Sequence, residues 1–267
     1  MLESWWQPFR WAASAIGLLL VVAPAGPSVA EDFVASYSAY WAGLPAGNIR
    51  LTLRDRGAGY QDQIEIATEG LPRLFTRFRA TATAEGSRAV DRTAEPSRYL
   101  ALYDLHKRRD SRVSMRFVRR TGGIIAERAP DDTSRKPPLA EAFRKNSVDP
   151  LTALERLREA LRAARPGSPF AIPVYDGARR FDIVGRMLPK TDRADGTLRA
   201  ELTLRPIAGF KGETSEDGDP DDAPRKLELV VTDDARMLPL SITVPVFFMP
   251  LVIRFEELCP TASPCSK

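Results

Sequence analysis

Asn146–Ala164, NSVDPLTALERLREALRAA, is the stretch whose reading decides the fold. Asp149 is a good N-cap, because a short carboxylate can accept from the free backbone N–H groups of a first turn. Pro150 falls at the first helical position, where its missing N–H is no loss and its fixed φ suits the helix. Leu151, Leu154, Leu157 and Leu161 recur at three- and four-residue spacing and draw one apolar stripe. Glu155, Arg156, Arg158, Glu159 and Arg162 cover the other face, where Glu155–Arg158 and Glu159–Arg162 attract and Glu155–Glu159 repel. Pro166 and Gly167 end the helix. Nearly everything else alternates with period two. The expected fold is mainly β with one long helix (α+β), a large curved antiparallel sheet or open barrel packed around the helix at about 149–164.

Before the helix the chain reads as strands. Phe33, Ala35, Tyr37, Ala39 and Trp41 share one face, and Gly43–Gly47 turns the chain. Ile49, Leu51 and Leu53 alternate with Arg50, Thr52 and Arg54, and Ile64 and Ile66 point inward from Tyr60–Thr68. Ala80, Ala82 and Ala84 give the next strand a small-residue face, suited to a curved sheet or to the close approach of a helix or ligand. Tyr99–Leu105, Arg112–Arg119 and Gly123–Arg128 continue the series. After the helix come Phe170–Tyr175, Arg179–Leu188, Thr197–Pro206, Lys226–Thr232 and Leu240–Leu258. The connections are too short for parallel crossovers, so the sheet is expected to be mostly antiparallel.

Residues 1–30 read as an export signal: Trp11–Ala23 is an apolar run shorter than the ~20 residues a membrane span needs, and Ser28-Val29-Ala30 has the small-x-small form of a cleavage site. Residues 31–258 are then a single β-rich domain, and 259–267 a C-terminal tail. Cys259 and Cys265 are the only cysteines, and five intervening residues fit neither a redox CxxC nor a zinc site, so an exported chain is expected to join them in a disulfide.

Four motifs occur in order: Tyr37–Gly47 (YSAYWAGLPAG), Asp149–Thr152 (DPLT), Val174–Gly177 (VYDG) with Arg180 and Phe181, and Asp233–Pro239 (DDARMLP). Together they resemble the family of exported bacterial proteins known as domain of unknown function 3108. The resemblance implies a compartment, the Gram-negative periplasm, and lends no activity and no catalytic residue. In physical terms the motifs are turns and one helix start.

Few constellations carry chemistry. The single histidine, His106, sits among cations, and no GxSxG elbow supplies a nucleophile, so neither a multi-His metal site nor a serine triad is indicated. The acidic run Glu213–Asp222 has the alternation of a calcium loop. It carries Asp222 where the sharp turn needs glycine, and Pro220 stiffens it, so it reads as a solvated loop. No catalytic residue, metal or cofactor is expected. The formal net charge is +4, and a cluster running from Arg73 through Lys107 to Arg120 could meet anionic envelope components or a membrane surface. Export and the absence of a recognition motif disfavour nucleic acid. Val244–Phe255 (VPVFFMPLVIRF) is the most apolar stretch of the mature chain and reads as a core strand or as the lip of a cavity.

The reading that results is a periplasmic, non-catalytic binding or scaffold protein of the bacterial envelope. A lipid-like ligand would be held by Ala80, Ala82 and Ala84 and by Phe247, Phe248 and Met249. Two readings stand beside it: a cell-envelope hydrolase using paired carboxylates, and an assembly partner with no ligand. A deep apolar cavity would favour the first, a polar cleft with two convergent carboxylates the second, and a closed core the third.

Overall fold

The computed structural model describes residues 32–70, 73, 77–105, 108–134, 137–189, 196–210, 223–246 and 249–260. The signal segment 1–30, His106, the acidic run 213–222, Phe247, Phe248 and Cys265 lie outside them. The first seven strands are β1 (Phe33–Trp41), β2 (Leu44–Leu53), β3 (Gly59–Thr68), β4 (Phe78–Arg88), β5 (Ala94–Leu105), β6 (Arg108–Arg120) and β7 (Gly123–Arg128). A one-turn helix α1 (Glu141–Arg144) and the long helix α2 (Pro150–Ala163) follow. The chain returns as β8 (Pro169–Tyr175), β9 (Arg180–Met187), β10 (Thr197–Ala208), β11 (Arg225–Thr232), β12 (Pro239–Val246) and β13 (Met249–Pro260).

All thirteen described strands belong to one antiparallel sheet, in the order β7-β6-β5-β4-β3-β2-β1-β13-β12-β11-β10-β9-β8. Strands adjacent in sequence pair within each half, so each is a meander, and the pairing of β1 with β13, from Phe33 opposite Pro260 to Trp41 opposite Leu251, splices the halves together. The free edges of β7 and β8 are joined by residues 145–148. Asn146 N–H donates to the Ile124 carbonyl at 2.7 Å, Val148 N–H donates to the Pro173 carbonyl at 2.9 Å, and Tyr175 N–H donates to the Val148 carbonyl at 2.8 Å. Asn146 has a φ of 54°, a left-handed conformation asparagine tolerates, and its Oδ1 accepts from Ile124 N–H. The sheet is thereby a nearly closed barrel, which leaves almost no unpaired edge.

Helix α2 enters the barrel directly from this seam. Asp149 caps it as its sequence predicts, accepting from the N–H groups of Leu151 at 3.0 Å and Thr152 at 2.9 Å. The helix lies against β8, β4, β5 and β3 and separates two apolar clusters. One gathers Phe33, Ala35, Tyr37, Tyr60, Ala82, Ala84, Tyr99 and Met115 with Leu151. The other gathers Val148, Ala153, Leu157 and Leu161 with Ile172, Leu198, Leu229 and Val231.

Two expectations change. The charged face of α2 is not wholly a solvent face: Glu155 is 1% exposed and Arg158 8%, because the wall of the barrel covers this face along the first turns of the helix, while Arg162 near its end is exposed. The apolar stretch Val244–Phe255 is a hairpin rather than one strand, with Pro245 opposite Pro250 and Val246 opposite Met249. Strand β13 runs to Pro260, and Cys259 on it pairs opposite Val34 and is buried.

Candidate functional site

The first turn of α2 is tied to the sheet by a buried relay. Thr152 Oγ1 donates to Asp149 Oδ2, and Tyr60 Oη of β3 lies 2.6 Å from Thr152 Oγ1, placed to donate to it. Burial pushes the Asp149 carboxyl up to about 6 in spite of its donors, and burial pushes the Tyr60 phenol well above its ordinary value. Gly86 makes room for the tyrosine: a Cβ there would lie 2.4 Å from Tyr60 Oη and 2.2 Å from the Glu95 carbonyl oxygen.

One turn on, Glu155 receives two guanidinium groups, Arg88 Nη2 at 3.0 Å and Arg158 Nη1 at 2.5 Å. Arg88 reaches Glu159 at 3.0 Å as well, and Arg158 Nε donates to the Arg236 carbonyl at 2.7 Å. Arg156 Nε donates to the Ala94 carbonyl at 2.9 Å. A buried carboxylate survives only when both oxygens are matched, and here both are.

Asp62 is the exception. It is 1% exposed, its Oδ1 receives a long 3.4 Å hydrogen bond from Arg54 N–H, and its Oδ2 has no partner. Burial, and secondarily the charge of Glu155, pushes its carboxyl up to about 8. Three buried side-chain polar atoms lack a partner among the described residues, those of Tyr37, Asp62 and Ser114, and Asp62 lines a cavity.

That cavity has a volume of about 660 Å³ and opens where the turns after β2, β4 and β11 meet the C-terminal half of α2. Six arginines line it (Arg54, Arg88, Arg92, Arg158, Arg162 and Arg236) against three carboxylates, Asp55, Asp62 and Glu155. Phe33 and Leu53 supply its apolar wall. Burial, and secondarily the neighbouring Arg158, lower the affinity of Arg162 for its proton. Such a cavity can hold a polar ligand and favours a negative one.

Of the ligand residues read from the sequence, the four that are described, Ala80, Ala82, Ala84 and Met249, do not line this cavity. Ala82 and Ala84 are buried in the cluster that holds Leu151, so their small side chains face α2. Ala80 lines a separate hollow of about 360 Å³ with Tyr103 and Arg112. Met249 is exposed at the tip of its hairpin. The alternation that turned Ile64 and Ile66 inward also carried Tyr60 and Asp62. A carboxylate at an inward position of a strand facing a charged helix was the signal for this site, and the sequence reading passed over it. Among the described residues, no group of three or more His, Cys, Asp or Glu comes together as metal ligands, and no helix is long and apolar enough to cross a membrane.

The model of a family described as "Protein of unknown function (DUF3108)" matches residues 36–253. The chain is similar in fold to the crystal structure of a beta-barrel-like protein of domain of unknown function DUF1849 from Brucella abortus. The TM-score is 0.57 at 10% identity, over 86% of this chain and 98% of that one. No curated protein matches the chain.

Proposed function

The chain belongs to the DUF3108 family, and from that premise and the cavity's geometry we propose that it is a binding protein of the bacterial envelope which holds a polar component inside its barrel. The observation that carries the reading is the cavity of about 660 Å³, walled by six arginines and three carboxylates and set beside an interior helix. The apolar space inside the sheet is occupied by α2, so a lipid-like ligand would enter by its headgroup rather than by its chain. The periplasmic assignment draws on the export signal ending at Ala30 and on Cys259 and Cys265, which an oxidising compartment would join.

A hydrolase has one observation in its favour, since Asp62 and Glu155 line the same cavity. Both oxygens of Glu155 are committed to guanidinium groups, which leaves it ill placed to serve water or substrate and puts binding first. The test is native mass spectrometry on protein purified from its own periplasm. The expected result is a bound small molecule that is lost in Ala89→Trp, which fills the cavity, with the circular dichroism of the variant unchanged. A bare chain, or a ligand retained equally by the filled variant, would overturn the reading.

A further inference from the structure

Resting on that reading, we infer that the cavity is an oxyanion site, in which Arg54, Arg92 and Arg162 pair with a phosphate-, sulfate- or carboxylate-type group and Asp62 Oδ2 completes its hydrogen bonding. The other lining arginines have work already. Arg88 and Arg158 neutralise Glu155 and Glu159, and Arg236 pairs with Asp234 at 3.0 Å. Arg54, Arg92 and Arg162 form no ion pair with a described residue, and all three border the cavity. Guanidinium groups present planar N–H donors that match the oxygens of carboxylate and phosphate.

Asp62 supplies the second, independent pointer. A buried polar atom without a partner costs on the order of 1–3 kcal/mol, so an orphan at the floor of a cavity marks a place where a partner belongs. The groups around it are Glu155 and Arg158 on α2, Arg88 on β4, Arg54 after β2 and Tyr60 on its own strand. With its carboxyl held up to about 8, Asp62 is the neutral acid at pH 7 and carries a hydrogen to donate. A cation would find six arginines and an acid that keeps its proton. An oxyanion finds donors on both sides.

Sulfate and octanoate both keep their charge between pH 6.5 and 9, so titration calorimetry with each separates the ligand's protonation from the protein's. At pH 6.5 at least one of them should bind. Sulfate alone assigns a phosphate- or sulfate-type group, and octanoate alone a carboxylate. Affinity should fall by about tenfold per pH unit once Asp62 ionises. Asp62→Asn keeps a neutral donor and should bind as wild type at pH 6.5 with the pH dependence gone. Asp62→Leu and Arg162→Gln should each weaken binding by about tenfold or more, with thermal melts confirming that the variants fold. The inference is overturned if neither probe binds wild type, if Asp62→Leu binds equally well, or if Asp62→Asn keeps the pH dependence. A neutral molecule carried from the periplasm without binding of either anion would leave the binding reading standing and remove this one.

Discussion

Asp62 shows how one inward carboxylate couples the site to stability. Its folded pKa lies above the ordinary value of 3.8 at about 8, so the native state keeps a proton that the unfolded chain has already lost across that interval. The stability this contributes is fully present below pH 4 and is lost as pH rises through 8, at about 1.4 kcal/mol per unit. Asp62→Asn should therefore unfold at a higher urea concentration than wild type at pH 8 and lose the difference towards pH 4. Parallel stability curves for the two proteins across that range would refute the assignment. Glu155 acts through its ion pairs instead. Glu155→Gln leaves Arg88 and Arg158 sharing an uncharged partner inside the barrel and should cost about 3–5 kcal/mol, whereas a loss under ~0.5 kcal/mol would mean the pairs are solvated. At this scale the sequence was only partly legible. Period two placed Asp62 inward, but nothing in one dimension shows that a strand's acid faces a helix's acid or that an arginine 67 residues from Glu155 neutralises it.

Elements were easier to read than residues because their signals are local. The Asp149-Pro150 cap, the leucine spacing and the inward rows of β1 and β2 all lie within a few residues of what they determine. The pairing of β12 with β13 escaped, since a continuous apolar run has no break in its period to divide it into two strands. Helix placement rests on a contact between elements, the Tyr60–Thr152 hydrogen bond that Gly86 permits. Gly86→Ala would drive a methyl group into Tyr60 and the Glu95 carbonyl and should cost about 1–3 kcal/mol. Tyr60→Phe removes the hydrogen bond alone and should cost about 1 kcal/mol. If the glycine acts by seating the tyrosine, the double variant costs less than the sum of the two singles. Strict additivity in urea denaturation would show that Gly86 serves the backbone of β5 instead.

The whole molecule poses a question that neither meander answers alone: whether β1–β7 and β8–β13 fold as one unit. Each has its own apolar cluster, yet the sheet runs unbroken through β1 and β13, residues 145–148 close the far seam, and one helix contributes Leu151 to the first cluster and Leu161 to the second. An interior helix cannot leave one cluster without unpacking the other, so the structure predicts a single transition. The sequence supplies a reporter, because Trp41 is the only tryptophan after residue 30 and sits on β1, in the first meander. Leu161→Ala opens a hole in the second cluster and should cost about 2–5 kcal/mol. If the barrel is one cooperative unit, Trp41 fluorescence and far-ultraviolet circular dichroism will shift together in that variant, by the same urea increment, although the mutation lies in the other cluster. Fluorescence that keeps its wild-type midpoint while the dichroism splits into two steps would mean that the meanders are separable and that α2 belongs to only one of them.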